Sequence, residues 1–187
     1  MHPGAVVIGA SAGGMDALAE IIPKLPKTFP VPVIIVQHIS PLSDNYIATY
    51  LDKMSKVNVV EAEEKVKPVK GKAYIAPPNY HLLIERDKSF SLATFERVSF
   101  ARPSIDVMFE TAAEAFGIWL TGVILTGANH DGARGMEYIQ ALGGKTVVQD
   151  PETAEVDTMP KSALQRITPT AVVPLKEIAG WLIKNIK

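Results

Sequence analysis

The chain has 187 residues, of which 47% are hydrophobic and 21% charged, enough for one substantial α/β domain and short for two. A formal net charge of -1 gives no electrostatic case for nucleic acid, and the absence of cysteine excludes disulfides, a cysteine nucleophile and thiolate metal sites. The N-terminus lacks a basic-then-apolar signal pattern, and the densest apolar run, Val31 to Val36, is far too short to span a membrane. These features lead us to expect one domain over residues 1–187, placed in the cytoplasm, with no membrane insertion.

Ala5 to Ile8 read as a buried strand that ends abruptly in Gly9-Ala10-Ser11-Ala12-Gly13-Gly14. Ala17, Leu18, Ile21, Ile22 and Leu25 then recur at helical spacing. Ser11 therefore falls where a strand hands over to a helix N-terminus, near amides with no intrahelical partner. Gly9-x-Ser11-x-Gly13 matches the G-x-S-x-G pattern of an exposed nucleophile, which needs this strand–turn–helix context. It misses the dinucleotide pattern G-x-G-x-x-G, because Ser11 takes the middle glycine position. From this stretch alone a nucleophile, a phosphate site and a capping serine all remain open.

Val31 to Val36 form the second strand, ending at Gln37-His38. Residues 43–55 read as a helix with Ile47, Tyr50, Leu51 and Met54 on one side, and Val57 to Val60 as a short strand. Glu61 to Lys72 mixes both signs of charge and reads as a solvated rim, with substrate docking as the alternative. Lys72 to Ala76 form another strand that stops at Pro77-Pro78-Asn79. His81 to Glu85 and Phe90 to Phe95 alternate as an antiparallel hairpin. Arg102-Pro103-Ser104 opens a helix whose apolar stripe is Ile105, Met108, Phe109, Ala112, Ala113 and Phe116, with Gly117 as its stop.

Thr121 to Leu125 form the next buried strand, followed by Thr126 to Ala133 and a helix with Met136, Ile139 and Leu142 inward. After Gly143-Gly144 come a strand at Lys145 to Gln149 and a loop through Met159-Pro160. A short helix near Ser162 to Arg166, a strand at Ala171 to Val173 and a helix burying Ile178, Trp181, Leu182 and Ile186 close the chain. The alternation of strands and helices predicts an α/β fold, a doubly wound and mostly parallel sheet of Rossmann-like three-layer type carrying one antiparallel hairpin.

In such sheets ligands bind beyond the carboxyl ends of the strands, where the strand order switches. Ser11, His38 and Asp131 each follow a predicted buried strand, so they would gather on one edge. A serine hydroxyl is a weak nucleophile until a base takes its proton. An imidazole does this near neutral pH, and an aspartate fixes its tautomer and stabilises the imidazolium. The chain order Ser…His…Asp differs from the Ser…Asp…His order of α/β-hydrolases. His130 beside Asp131, with His38 and His81, raises a metal site, but no ligand spacing supports one. His81 reads as a structural or rim residue. We expect no metal and no cofactor.

With these residues assembled, the sequence resembles the catalytic domain of the protein-glutamate methylesterases of bacterial chemotaxis, the CheB family. The matching motifs are Ile8 to Gly14, Val36-Gln37-His38, Tyr74 to Leu82, Arg102 to Asp106, Leu125-Thr126-Gly127 through Asp131-Gly132-Ala133, and Gln149-Asp150-Pro151 through Met159-Pro160. They lie in the family's order and cover nearly the whole chain. The resemblance implies Ser11 as nucleophile, His38 as base and Asp131 as acid. It implies hydrolysis of glutamyl γ-methyl esters on the cytoplasmic helices of methyl-accepting chemoreceptors, in many members with deamidation of receptor glutamines.

Three departures stand out. Ala12 replaces the threonine that commonly follows the nucleophile, and Ala128-Asn129 stand where methionine commonly follows Leu-Thr-Gly. The backbone amides of Ala12 and Ala128 remain oxyanion-hole candidates, since side-chain identity does not remove an N–H. The chain also begins directly at the catalytic strand, whereas chemotaxis members usually carry a receiver domain first. The expectation is a stand-alone member or an excised domain, whose regulator would be a separate protein. Two alternatives stay open: an inactive binding module of the same fold, and a nucleotide-binding α/β protein.

Overall fold

The computed structural model describes residues 4–40 and 46–187. Seven strands pair in parallel: β1 (Ala5–Ala10), β2 (Val33–Gln37), β3 (Asn58–Glu61), β4 (Lys72–Ile75), β7 (Leu120–Ile124), β8 (Lys145–Gln149) and β9 (Ala171–Val173). Their order is β3-β4-β2-β1-β7-β8-β9, so the chain runs from β1 through β2 to the edge strand β3, returns to β4 beside β2, and then restarts at β7 on the other side of β1. The switch point lies at β1, flanked by β2 and β7. β5 (His81–Ile84) and β6 (Phe90–Ala93) form a separate antiparallel hairpin.

Helices cover both faces, as a sheet buried on both sides requires. On one face α1 (Gly14–Ile21), α2 (Tyr46–Met54) and α6 (Leu175–Asn185) pack Leu18, Leu51, Ile178 and Leu182 against Val6, Ile8 and Ile35. On the other, α3 (Ile105–Phe116), α4 (Ala133–Ala141) and α5 (Thr158–Arg166) pack Met108, Phe109, Ile139 and Met159 against Val7, Ile34 and Ile124. The hairpin adds Leu82, Ile84 and Phe90 to this second core. Alternate residues of β1 therefore feed opposite layers, as the period of two demands.

Several boundaries differ from the periodicity for local reasons. The first helix gives way at Ile22 to a 3-10 turn, because Pro23 lacks the N–H that an α-helix would use. The second strand starts after Pro32, whose carbonyl still accepts the Val6 N–H. β6 stops at Ala93 because the next two carbonyls, of Thr94 and Phe95, accept from the Arg102 guanidinium. α5 begins at Thr158, four residues early, since Pro160 falls in the first turn where its missing N–H costs nothing.

Three apolar assignments are corrected. Leu142 is 40% exposed rather than inward: it lies just past α4, where its N–H closes on Tyr138 O. Tyr50 and Met54 are exposed on α2, leaving Ile47, Ala48 and Leu51 to bury that helix. Trp181 and Ile186 only partly join the core. Residues 43–45 of the expected second helix lie outside the described residues. The charged stretch after β3 is solvated but also braces the hairpin, since Glu64 accepts the Leu92 N–H and Lys65 and Val66 pair with Phe90. Ile139→Ala should therefore cost about 2–4 kcal/mol and Leu142→Ala under about 1 kcal/mol, measured by urea unfolding. Equal costs would contradict the assignment of Leu142 to the surface.

Candidate active site

The carboxyl ends of β1, β2 and β7 bring Ser11, His38 and Asp131 together. Ladder bonds that run past the strands fix the first two backbones: Ser11 N–H donates to Thr126 O at 3.0 Å and His38 N–H to Ala10 O at 3.0 Å. Asp131 N–H donates to the Asn129 side chain at 3.0 Å. His38 Nε2 lies 2.7 Å from Asp131 Oδ2, and His38 Nδ1 lies 3.1 Å from Ser11 Oγ. An ionised carboxylate only accepts, so Nε2 carries the imidazole proton and Nδ1 turns a lone pair to the serine hydroxyl. The Asn129 side-chain amide also points a donor at Nδ1, at 3.3 Å.

Asp131 is fully buried, and the start of α3 is what receives its charge. Oδ2 accepts the Ile105 N–H at 2.7 Å; Oδ1 accepts the Asp106 N–H at 3.0 Å and the Ser104 hydroxyl at 2.9 Å. Ser104 Oγ in turn accepts from Val107 N–H, and Ser104 O from Met108 N–H, so every amide of the first turn has a partner. Burial alone would raise the Asp131 carboxyl. The His38 hydrogen bond, the Asp106 and Ile105 amides and the nearby imidazole charge together hold it below its ordinary range.

The arrangement is reciprocal. Asp106, in the first turn of α3, accepts the Gly132 and Gly135 amides at the start of α4 through Oδ1, at 2.9 and 2.7 Å. Each helix start thus holds a carboxylate supplied by the other. Burial, reinforced by the charge of Asp131, pushes the Asp106 carboxyl up to about 6, despite the Gly135 amide acting in the opposite direction. His81 completes the support. Buried against Phe95, it accepts the Ser104 N–H at Nδ1 and donates from Nε2 to Glu96 O, and burial lowers its pKa so that it stays neutral.

The turn after β1 departs from the strained nucleophile elbow. The left-handed residue is Gly13, at φ 74°, whereas Ser11 is not among the positive-φ residues. Ser11 O accepts from Gly14 N–H and from the Gln37 side chain, both at 2.8 Å. In a trans peptide the N–H points opposite to the C=O, so the Ala12 amide faces away from those donors. Ala12 is exposed, and among the described residues its N–H, like that of Ala128, has no hydrogen-bond partner. The β7 end abuts the serine closely: a β-carbon on Gly127 would lie 2.9 Å from that of Ser11. Glu155 packs over Gly13, which sets a carboxylate beside the start of α1.

Ser11 and His38 open onto a cleft of about 270 Å³, with Arg97, Phe100, Arg102 and Asn129 at its margin. None of Glu61 to Lys72 borders it. His130 is exposed and contributes only its carbonyl, to the Ala133 N–H. Among the described residues no group of three or more His, Asp or Glu side chains could hold a metal ion. Sequence reasoning missed Ser104, Asp106, Asn129 and Gln37 as supports of the site. The Ser104-x-Asp106 helix start was a readable signal of capping, but not of whose amides Asp106 would take.

A doubly wound α/β protein with serine, imidazole and carboxylate in line at its switch point has the layout of a serine hydrolase. The family profile described as CheB methylesterase matches residues 6–182, and the chain belongs to the CheB methylesterase family. A putative protein-glutamate methylesterase/protein-glutamine glutaminase from Leptospira interrogans is 51% identical, covering 98% of this chain and 95% of the relative. A protein-glutamate methylesterase/protein-glutamine glutaminase from Carboxydothermus hydrogenoformans is 42% identical over 97% of this chain and 55% of its own length. The crystal structure of the Thermotoga maritima CheB methylesterase catalytic domain superposes with a TM-score of 0.94 at 36% identity, covering 98% of this chain and 99% of that one.

The raised Asp106 carboxyl makes a pH prediction. An acid whose folded-state pKa lies above its unfolded value of about 3.8 binds its proton more tightly when folded. Its contribution to stability therefore falls as pH rises from about 3.8 through about 6, and is constant above. Asp106→Asn keeps an acceptor for the two glycine amides and removes that dependence. Its stability relative to wild type should improve by about 1–2 kcal/mol between pH 4.5 and 7.5 in urea unfolding. A pH-independent difference would contradict the assignment.

Proposed function

We propose that this chain removes methyl groups from glutamyl γ-methyl esters on the cytoplasmic helices of methyl-accepting chemoreceptors, and deamidates receptor glutamines at the same site. The observation that carries this reading is His38 set between Ser11 Oγ and Asp131, at 3.1 and 2.7 Å. Ser11 Oγ attacks the ester carbonyl carbon while His38 Nδ1 takes its proton. The tetrahedral oxyanion receives the Ala12 and Ala128 amides, which are free to donate. The C–O bond to the methoxy group then breaks, and His38 returns the proton so that methanol leaves. Water, deprotonated by His38, hydrolyses the glutamyl–Ser11 ester, releasing a glutamate carboxylate and restoring the serine. With an amide substrate the same steps release ammonia.

Asp131 keeps Nε2–H donated to it and stabilises the imidazolium that forms at each proton transfer. Nothing in this cycle draws on a metal or cofactor. Such a substrate places the chain in the cytoplasm, and among its described residues no helix is long and apolar enough to cross a membrane. The carboxylate of Glu155 beside Gly13 weighs against the nucleotide-binding alternative.

Ser11→Ala and His38→Ala should each lower methanol release from methylated receptor by three or more orders of magnitude, on the order of the losses seen when a triad member is removed. The double variant should be little worse, because nucleophile and base act as one unit. Asp131→Asn should cost a similar amount or less. Wild-type release by Ser11→Ala would rule out covalent serine catalysis. No release by folded wild type on several receptors would favour the inactive binding module.

A further inference from the structure

We infer that Phe100 is the docking residue for the helix that carries the ester, an assignment that rests on the esterase reading above. Phe100 is 92% exposed and stands at the margin of the Ser11 cleft. A single exposed aromatic needs no explanation by itself. This one is held there by a backbone that disfavours it. Val98 and Ala101 exchange both backbone hydrogen bonds, at 3.1 and 2.9 Å, around a two-residue turn. Ser99 and Phe100 occupy its centre at φ 50° and 63°. Two consecutive positive φ values are what a type I′ turn demands, and asparagine and glycine are the residues that accept them readily. A phenylalanine there combines left-handed strain with an apolar ring in water. A local rule broken at the edge of a reactive cleft points to function.

The base of the turn is rigid. Arg102 donates to Thr94 O and Phe95 O from Nη1, and to Asn79 Oδ1 from Nε and Nη2. Phe95 stacks on the buried His81 at a centroid distance of 4.2 Å. The ring of Phe100 is therefore presented from a fixed support, which limits the ordering cost of binding.

The cleft at Ser11 is open to the surface. An ester on a side chain reaches Ser11 from a helix lying across the rim, where Phe100 stands. Arg97 and Arg102 also border the cleft, whereas no Asp or Glu does among the described residues. That rim suits a helix that carries glutamates, and Phe100 meets an apolar side chain on the same helical face.

The test compares two substrates, methylated receptor and the free ester N-acetyl-glutamate γ-methyl ester, with Phe100→Gly. Glycine removes the ring and accepts the left-handed turn, so the unfolding midpoint should stay level or rise. The loss in kcat/KM on receptor should exceed the loss on the free ester at least tenfold, chiefly through KM, and Phe100→Leu should recover part of it. Equal losses on both substrates, no loss on receptor, or a change of oligomeric state in place of the KM effect would overturn the assignment. If turnover needs Ser11 but ignores Phe100, only the docking role falls. If Ser11→Ala keeps wild-type release, the esterase reading falls and the docking role with it.

Discussion

The site depends on one buried negative charge and the helix start that receives it. Asp131 accepts four hydrogen bonds, from Ser104, Ile105, Asp106 and His38. The three from the start of α3 make burial of the charge tolerable, and the fourth orients the imidazole of His38. An isolated carboxylate at this depth would be forced toward neutrality, and a neutral acid would no longer hold the imidazole by charge. The start of α3 and the orientation of His38 are thus fixed by one carboxylate.

The same contact ties the two halves of the fold. Asp131 belongs to the loop between β7 and α4, and His38 to the other side of the switch point. Asp106 answers by capping α4, so that neither helix start is complete without the other. His81 extends the chain of bonds to the hairpin through Ser104. A local insertion in the α/β order therefore reaches the edge where Ser11, His38 and Asp131 meet, and the same hairpin leads into the turn that presents Phe100.

Much of this was legible in the chain. β-branched runs marked the central strands, and small polar residues after three of them marked where Ser11, His38 and Asp131 would gather, because parallel neighbours share a carboxyl edge. The motifs quoted from Ile8 to Pro160 were enough to indicate the family. What escaped depends on contacts between distant segments. Asp106 lies at the opening of the helix that Arg102-Pro103-Ser104 begins, yet its carboxylate serves α4. Asn129 stands out in the sequence only, with Ala128, as a departure from the usual methionine, yet its amide faces His38 Nδ1. Leu142 fits the helical period but falls one residue beyond the helix. Pro160 reads as the end of a loop, although a first helical turn tolerates it.

The central claim is that α3 holds Asp131 as the acceptor of the His38 Nε2 proton, leaving Nδ1 for Ser11. The tautomer of neutral His38, read by nitrogen-15 NMR of its imidazole ring, tests this most directly. The account predicts a protonated Nε2 and an unprotonated Nδ1 in the resting protein, with that preference lost in Asp131→Ala. A protonated Nδ1 in the wild type, with Nε2 bare, would contradict it.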